Sequence, residues 1–276
     1  MARNDIAVVG ELVPGPARKL LGSIKPSTLR AVASFLSVMV LWELVARILV
    51  KNPLFFAPLT AVWGRTIELW LDGELQVHIW TSSQEFILGF LLACFVGIMF
   101  GVLMASSVIV RDFCDPWVSM LYSTPIIALG PLFILWFGIG VSSKVAVIFI
   151  VAVFPILINT FAGLATTDRN LIEVARSFGS SPAQIFTKVR FPSALPFIIA
   201  GLRLGVARGL VGVVVAELFG AKEGLGWLIM ISAQTFDTAG LFVGVFILAA
   251  SGVITVEIIK LIERRLAPWR GQEDRR

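Results

Sequence analysis

An all-α protein that crosses a membrane several times is the fold class this sequence predicts, on three observations. The mean hydropathy is +0.91. Of the 276 residues, 57% are hydrophobic and only 15% charged, where an ordinary soluble domain carries about a quarter charged. Apolar runs long enough to cross a hydrocarbon core of about 30 Å recur along the chain, and the cations between them are sorted to alternate connections. A water-soluble enzyme is excluded. So is a disordered chain, because 21 Phe, 8 Trp and long aliphatic runs supply apolar surface that disorder does not carry.

Six spans are expected, at roughly 31–50, 79–104, 116–139, 144–166, 196–220 and 238–262. Residues 1–30 hold five cations and three prolines with no uninterrupted apolar stretch, which reads as a cytoplasmic tail rather than a signal peptide. Residues 31–77 comprise the first span and an outer loop. In that loop Trp63, Ile67, Leu69, Trp70 and Leu71 suit an interfacial helix or ordinary loop packing equally. The remaining spans occupy 78–262, and 263–276 is a second basic tail. Orientation follows from the Lys/Arg bias. Sixteen cations fall in the N-terminal tail, the connections containing Arg111 and Arg169 to Arg190, and the C-terminal end. Only Lys51, Arg65, Lys144 and Lys222 fall on the other side, so both termini of this multi-pass chain are expected in the cytoplasm.

Several spans carry more than apolar bulk. Ala93, Gly97 and Gly101 in the second, and Gly201, Gly205 and Gly209 in the fifth, recur every four residues with Gly212 close by, a pattern for close helix packing. In the third, Thr124, Pro125, Gly130 and Pro131 predict a kinked or unwound segment. Among the ionisable residues at membrane depth, Glu43 and Arg47 are spaced for an intrahelical pair. Glu85 and Arg203 lie close enough to span ends to reach an interface. Arg208 falls mid-span and suits either a positive pathway girdle for an anion or a buried pair with a carboxylate such as Glu85.

The connection 167–195 is the largest polar excursion between helices. Asn170 and Glu173 resemble a capping box for a helix from Leu171 to Phe178, which Gly179 ends. Ser181, Pro182 and Gln184 start a second helix. Leu171, Val174, Ala175 and Phe178 share one face, with Glu173 and Arg176 solvated, a surface suited to a groove in another protein.

Glu173-Val174-Ala175, three residues, Gly179, nine residues, then Val189-Arg190-Phe191-Pro192 resembles the EAA signature of permeases of binding-protein-dependent ABC importers. It departs conservatively at Val174, Val189 and Phe191. Thr124-Pro125, Ala128-Leu129, Pro131-Leu132, Trp136-Phe137-Gly138, Val215-Ala216-Glu217 and Gly224-Leu225-Gly226 are similar to the nitrate, sulfonate, taurine and bicarbonate branch. The likeness runs from about residue 31 to 263.

This resemblance implies a type I ABC importer transmembrane domain over 78–262, in a bacterial inner membrane, with coupling helices between the fourth and fifth spans. It implies that Leu171, Glu173, Ala175, Arg176, Phe178 and Gly179 dock into a cytoplasmic ATPase. A second permease copy, most simply a homodimer partner, would complete the pathway, two ATPase subunits would drive it, and an extracytoplasmic solute-binding protein would deliver the solute. Arg208, Thr124, Pro125 and Pro131 become candidate pathway or gate residues, and Glu217 a candidate for gating or for receiving the binding protein. No Gly-Lys dipeptide occurs, so a phosphate-binding loop is missing, and ATP with its Mg is expected on the partner chain. No enzyme activity, cofactor or metal is expected on this one, nor a nucleic-acid partner. The solute expected is small and anionic. A neutral heterocycle such as a pyrimidine precursor remains the alternative, as does an ion-coupled secondary transporter.

Overall fold

A computed structural model describes residues 26–266. The tail readings on 1–25 and 267–276 lie outside the described residues. Within them every regular element is helical, and the chain divides into two compact units, 1–60 and 61–276.

In the first unit, helix α1 (Pro26–Leu44) passes into a π-helical turn over Val45–Val50, which Lys51 ends at φ 55°. Glu43 takes Arg47 as an ion pair at 2.7 Å and accepts from the Thr60 hydroxyl at 2.9 Å. Trp42 donates to the Ala57 carbonyl at 3.0 Å and stacks on Phe56.

The second unit continues α2 (Leu59–Leu71) and contains α3 (Glu74–Ser106), α4 (Val108–Ser123), α5 (Gly130–Phe137) and α6 (Val141–Ala165). After these come α7 (Arg169–Ser177), α8 (Pro182–Ile185), a π turn over Phe186–Arg190, α9 (Phe191–Leu218), α10 (Leu225–Gln234) and α11 (Thr238–Leu266). The stretch that suited an interfacial helix or loop packing equally is the helix α2. It buries Val62 and Leu69 and exposes Trp63, Ile67, Trp70 and Leu71, an amphipathic division suited to a membrane surface.

Among the described residues, five helices are long and apolar enough to cross a membrane: 28–50, 74–106, 141–165, 182–218 and 238–265. The third expected span, 116–139, is not a continuous helix. It is α4, a 3-10 turn over Ile126–Leu129, and α5. The cause is local: proline disfavours the α-helical conformation in the residue before it, and Thr124, ahead of Pro125, is extended with ψ 136°. Pro131 then sits in the first turn of α5, where a missing N–H costs nothing.

Glycine dictates how the three central helices approach. A Cβ at Gly97 would lie 3.0 Å from Ile156 Cβ, and at Gly101 2.6 Å from Thr160 Cβ; together with Gly89 against Ile148, these contacts advance in the same direction, so α3 and α6 run parallel. Gly201, Gly205 and Gly212 meet Asn159, Ile156 and Val151 in reverse order. Helix α9 is therefore antiparallel to both, with Gly205 and Gly209 also against Phe90 and Phe86 of α3. Ile148, Ile156, Val206 and Val213 fill the seam. With no room for a side chain, Gly101→Val is expected to lower stability by about 1–3 kcal/mol. Gly64→Ala, where a Cβ meets nothing within 4 Å, should leave it unchanged, and thermal unfolding of the two purified variants measures the contrast.

Candidate functional site

The segment after α6 forms one end of the bundle. Helix α7 starts two residues earlier than the Asn170 and Glu173 pattern predicts, because Asp168 is its N-cap, accepting from the Asn170 amide at 2.8 Å. A carboxylate caps as well as an amide, and it also faces the positive end of the helix. Phe178 is the C-cap, followed by Gly179 at φ +75°. At α8 the expected capping box is present: Ser181 Oγ accepts from Gln184 N at 3.3 Å and Gln184 Oε1 from Ser181 N at 2.8 Å.

No residue of α7 is buried. Leu171 and Val174 are about half exposed and Phe178 is 85% exposed, while Glu173 and Arg176 are exposed beside them. Such an apolar face left open on a polar connection is the kind of patch that marks a protein contact. The other side of the connection is tied down. Arg190 Nη2 donates to the carbonyls of Ala105 at 3.3 Å and Leu164 at 3.2 Å, the last turns of α3 and α6. A cation thereby meets the negative ends of two helices at once. Leu164, Ala194 and Ile198 form a small core under it, covered by Phe186 and Phe191. Arg190 was legible only as a loop cation, and its clamp depends on two helix ends that meet in space.

The opposite end of the bundle holds a buried polar cluster. Glu85 of α3 does not reach an interface: it is 1% exposed and pairs with Lys144 of α6 at 2.9 Å. Lys144, expected in an outer loop, lies inside α6 and is 8% exposed. Glu217 is fully buried. Its carboxylate accepts from Ser82 Oγ at 2.5 Å, Gly226 N at 2.5 Å and Trp227 N at 3.4 Å. Nearby on the surface, Arg65 of α2 donates to Asp237 at 2.9 Å and pairs with Glu68 at 3.1 Å. Partial burial works against the Arg65 charge, and the bonds to Glu68 and Asp237 outweigh it, so its pKa is raised above the ordinary arginine value.

Arg203, the other residue read as reaching an interface, pairs with Glu263 of α11. Arg208 does not pair with Glu85. It is exposed on α9, beside Leu204, Ala207 and Val211, while the glycine face next to it is consumed by α3 and α6. Thr124 donates to the Met120 carbonyl at 2.9 Å, and Pro125 and Pro131 are exposed. Ser82 and Lys144 were not singled out from sequence; Lys144 carried a signal, as a cation at the head of an apolar run.

Residues 97–268 match the family described as the binding-protein-dependent transport system inner membrane component. The chain is 38% identical to the protein named "Putative aliphatic sulfonates transport permease protein SsuC" of Bacillus subtilis (strain 168), over 93% of this chain and 91% of that one. It is 35% identical to the formylaminopyrimidine transport permease ThiX of Halalkalibacterium halodurans, over 87% and 95%. With the taurine transport system permease TauC of Escherichia coli (strain K12) it shares 30%, over 85% and 87%. A chain of the inward-facing MetNI methionine ABC transporter superposes with a TM-score of 0.58 at 20% identity, covering 72% of this chain and 96% of that one, a likeness of fold.

Proposed function

Because the chain belongs to the family of binding-protein-dependent transport system inner membrane components, and so is the permease subunit of an ABC importer, we propose that it carries a small sulfonate-like anion. The solute arrives on a binding protein, and ATP is hydrolysed with Mg on separate ATPase subunits. Two copies of the chain form the pathway, with both termini in the cytoplasm of a bacterial cell and the connection 167–195 facing the ATPase there. Leu171, Val174 and Phe178 enter the ATPase groove, Glu173 and Arg176 flank it, and Ala175 and Gly179 permit close approach.

One observation carries the anion: Arg208 is exposed at the middle of a membrane-spanning helix. A charge there costs roughly 2.5–3.5 kcal/mol on insertion scales unless it faces a watery path or protein. Two copies would present two such cations to a solute, with the broken segment around Thr124, Pro125 and Pro131 as the irregular backbone that only a cavity or protein tolerates. The relatives named for sulfonates and for taurine, solutes that share an ionised sulfonate group, support the same reading. A neutral pyrimidine is the second reading, favoured by the formylaminopyrimidine relative.

ATPase activity of the reconstituted complex tests both, with binding protein loaded from a panel of alkanesulfonates, taurine and formylaminopyrimidine. Stimulation by a sulfonate is expected. Arg208→Ala should cut uptake at least about tenfold, the loss of roughly 1.4 kcal/mol at the pathway, while the complex still assembles. Stimulation by the pyrimidine alone, or normal uptake by Arg208→Ala, would overturn the anion reading.

A further inference from the structure

We infer that Glu217 is a positioning residue for α10, setting where that helix sits at the end of the bundle opposite the connection 167–195. The first amides of a helix have no partner within it and are commonly satisfied by a local N-cap side chain. Helix α10 has none, since its N-cap is Gly224. Its amides are met instead by side chains of two other helices. His78 Nδ1 accepts from Gly224 N at 3.0 Å, and Ser82 Oγ accepts from Leu225 N at 2.7 Å. Glu217 accepts from Gly226 and Trp227 and is also the acceptor for Ser82 Oγ–H.

Four consecutive amides are thus held from outside, with one carboxylate at the centre and the positive end of α10 directed at it. Glycine makes the approach feasible. A Cβ at Gly224, where φ is +118°, would fall on the Glu217 carboxylate, and one at Gly226 would lie 2.9 Å from Val214 Cα. The contact is confined to one turn of α10. None of the glycine contacts among α3, α6 and α9 involves α10, which packs on Val214 of α9 and on Gly240 and Gly244 of α11, so loosening this helix leaves the three-helix seams in place. On the importer reading, on which this step rests, α10 is the element at this end whose release accompanies delivery of solute, and Glu217 holds it until then.

Hydrogen exchange of the full chain in nanodiscs tests the position of α10, comparing the native chain with Glu217→Ala, Glu217→Gln and Ser82→Ala. Amides 224–228 should exchange at least about tenfold faster in Glu217→Ala, while peptides of α3, α6 and α9 keep their protection. Glu217→Gln keeps one acceptor oxygen and should fall between. Unchanged exchange at 224–228, or a rise throughout the bundle, would overturn the inference. In the assembled complex, Glu217→Gln should hydrolyse ATP near the stimulated rate before binding protein is added, and an unaltered ratio of stimulated to basal rate would remove the role in release. Failure of the native complex to respond to any binding protein would sink the importer reading instead, and the exchange result would still decide what holds α10.

Discussion

Lys144→Met is expected to destabilise the chain by about 3–5 kcal/mol, the range for removing one partner of a buried ion pair. Lys144 and Glu85 are 8% and 1% exposed and 2.9 Å apart, so the variant leaves the Glu85 carboxylate buried with no cation. Glu217, a second carboxylate, belongs to the same cluster and would add repulsion. The cost arises from the orphaned charge rather than from the value of the pair, and a compensating change distinguishes the two. Lys144→Met combined with Glu85→Gln removes both charges and should recover most of the loss. Thermal unfolding of the purified single and double variants measures this. Equal destabilisation in both would show that packing, not charge pairing, sets the stability of this end.

Phe178→Ala is expected to do the reverse: unfold normally and lose its ATPase. The side chain is 85% exposed, so truncation creates no cavity in the chain. At a protein interface a buried aromatic anchor is worth about 2 kcal/mol or more, which is roughly thirtyfold in affinity. Gly179→Asp should match it by another route. Its φ of +75° costs an L-residue about 1–2 kcal/mol, and the new anion stands at the negative end of α7, where it is unfavourable. Co-purification of tagged ATPase subunits, beside the unfolding temperature, measures both variants. Retention of the ATPase by Phe178→Ala would move the anchor to another residue of the connection.

Much of the connection 167–195 could be read directly, because its determinants are local. Gly179 ends a helix, and the Ser181 and Gln184 box starts another within four residues of chain. The cap of α7 was misplaced because Asp168 and Asn170 are competing caps of similar strength, and Glu173 completes a box pattern with the second. The interruption near Thr124 was likewise legible from proline, as a kinked or unwound segment, although its length was not, since that depends on where helix resumes.

Hydrophobic run length, cation bias and glycine spacing are one-dimensional quantities, and by themselves they determined a helical membrane protein with close-packed helices, while the order of the motif residues along the chain carried its family resemblance. Partner choice is different. Glu85 selects Lys144 rather than Arg208, Glu217 serves the amides of α10, and Arg190 bridges two helix ends, because parallel α3 and α6 with antiparallel α9 bring those groups together across distant positions in the chain. At membrane depth a charge must find a partner or a watery path, so the spatial register of the helices, decided by glycine contacts between them, assigned each buried charge its place and left Arg208 exposed.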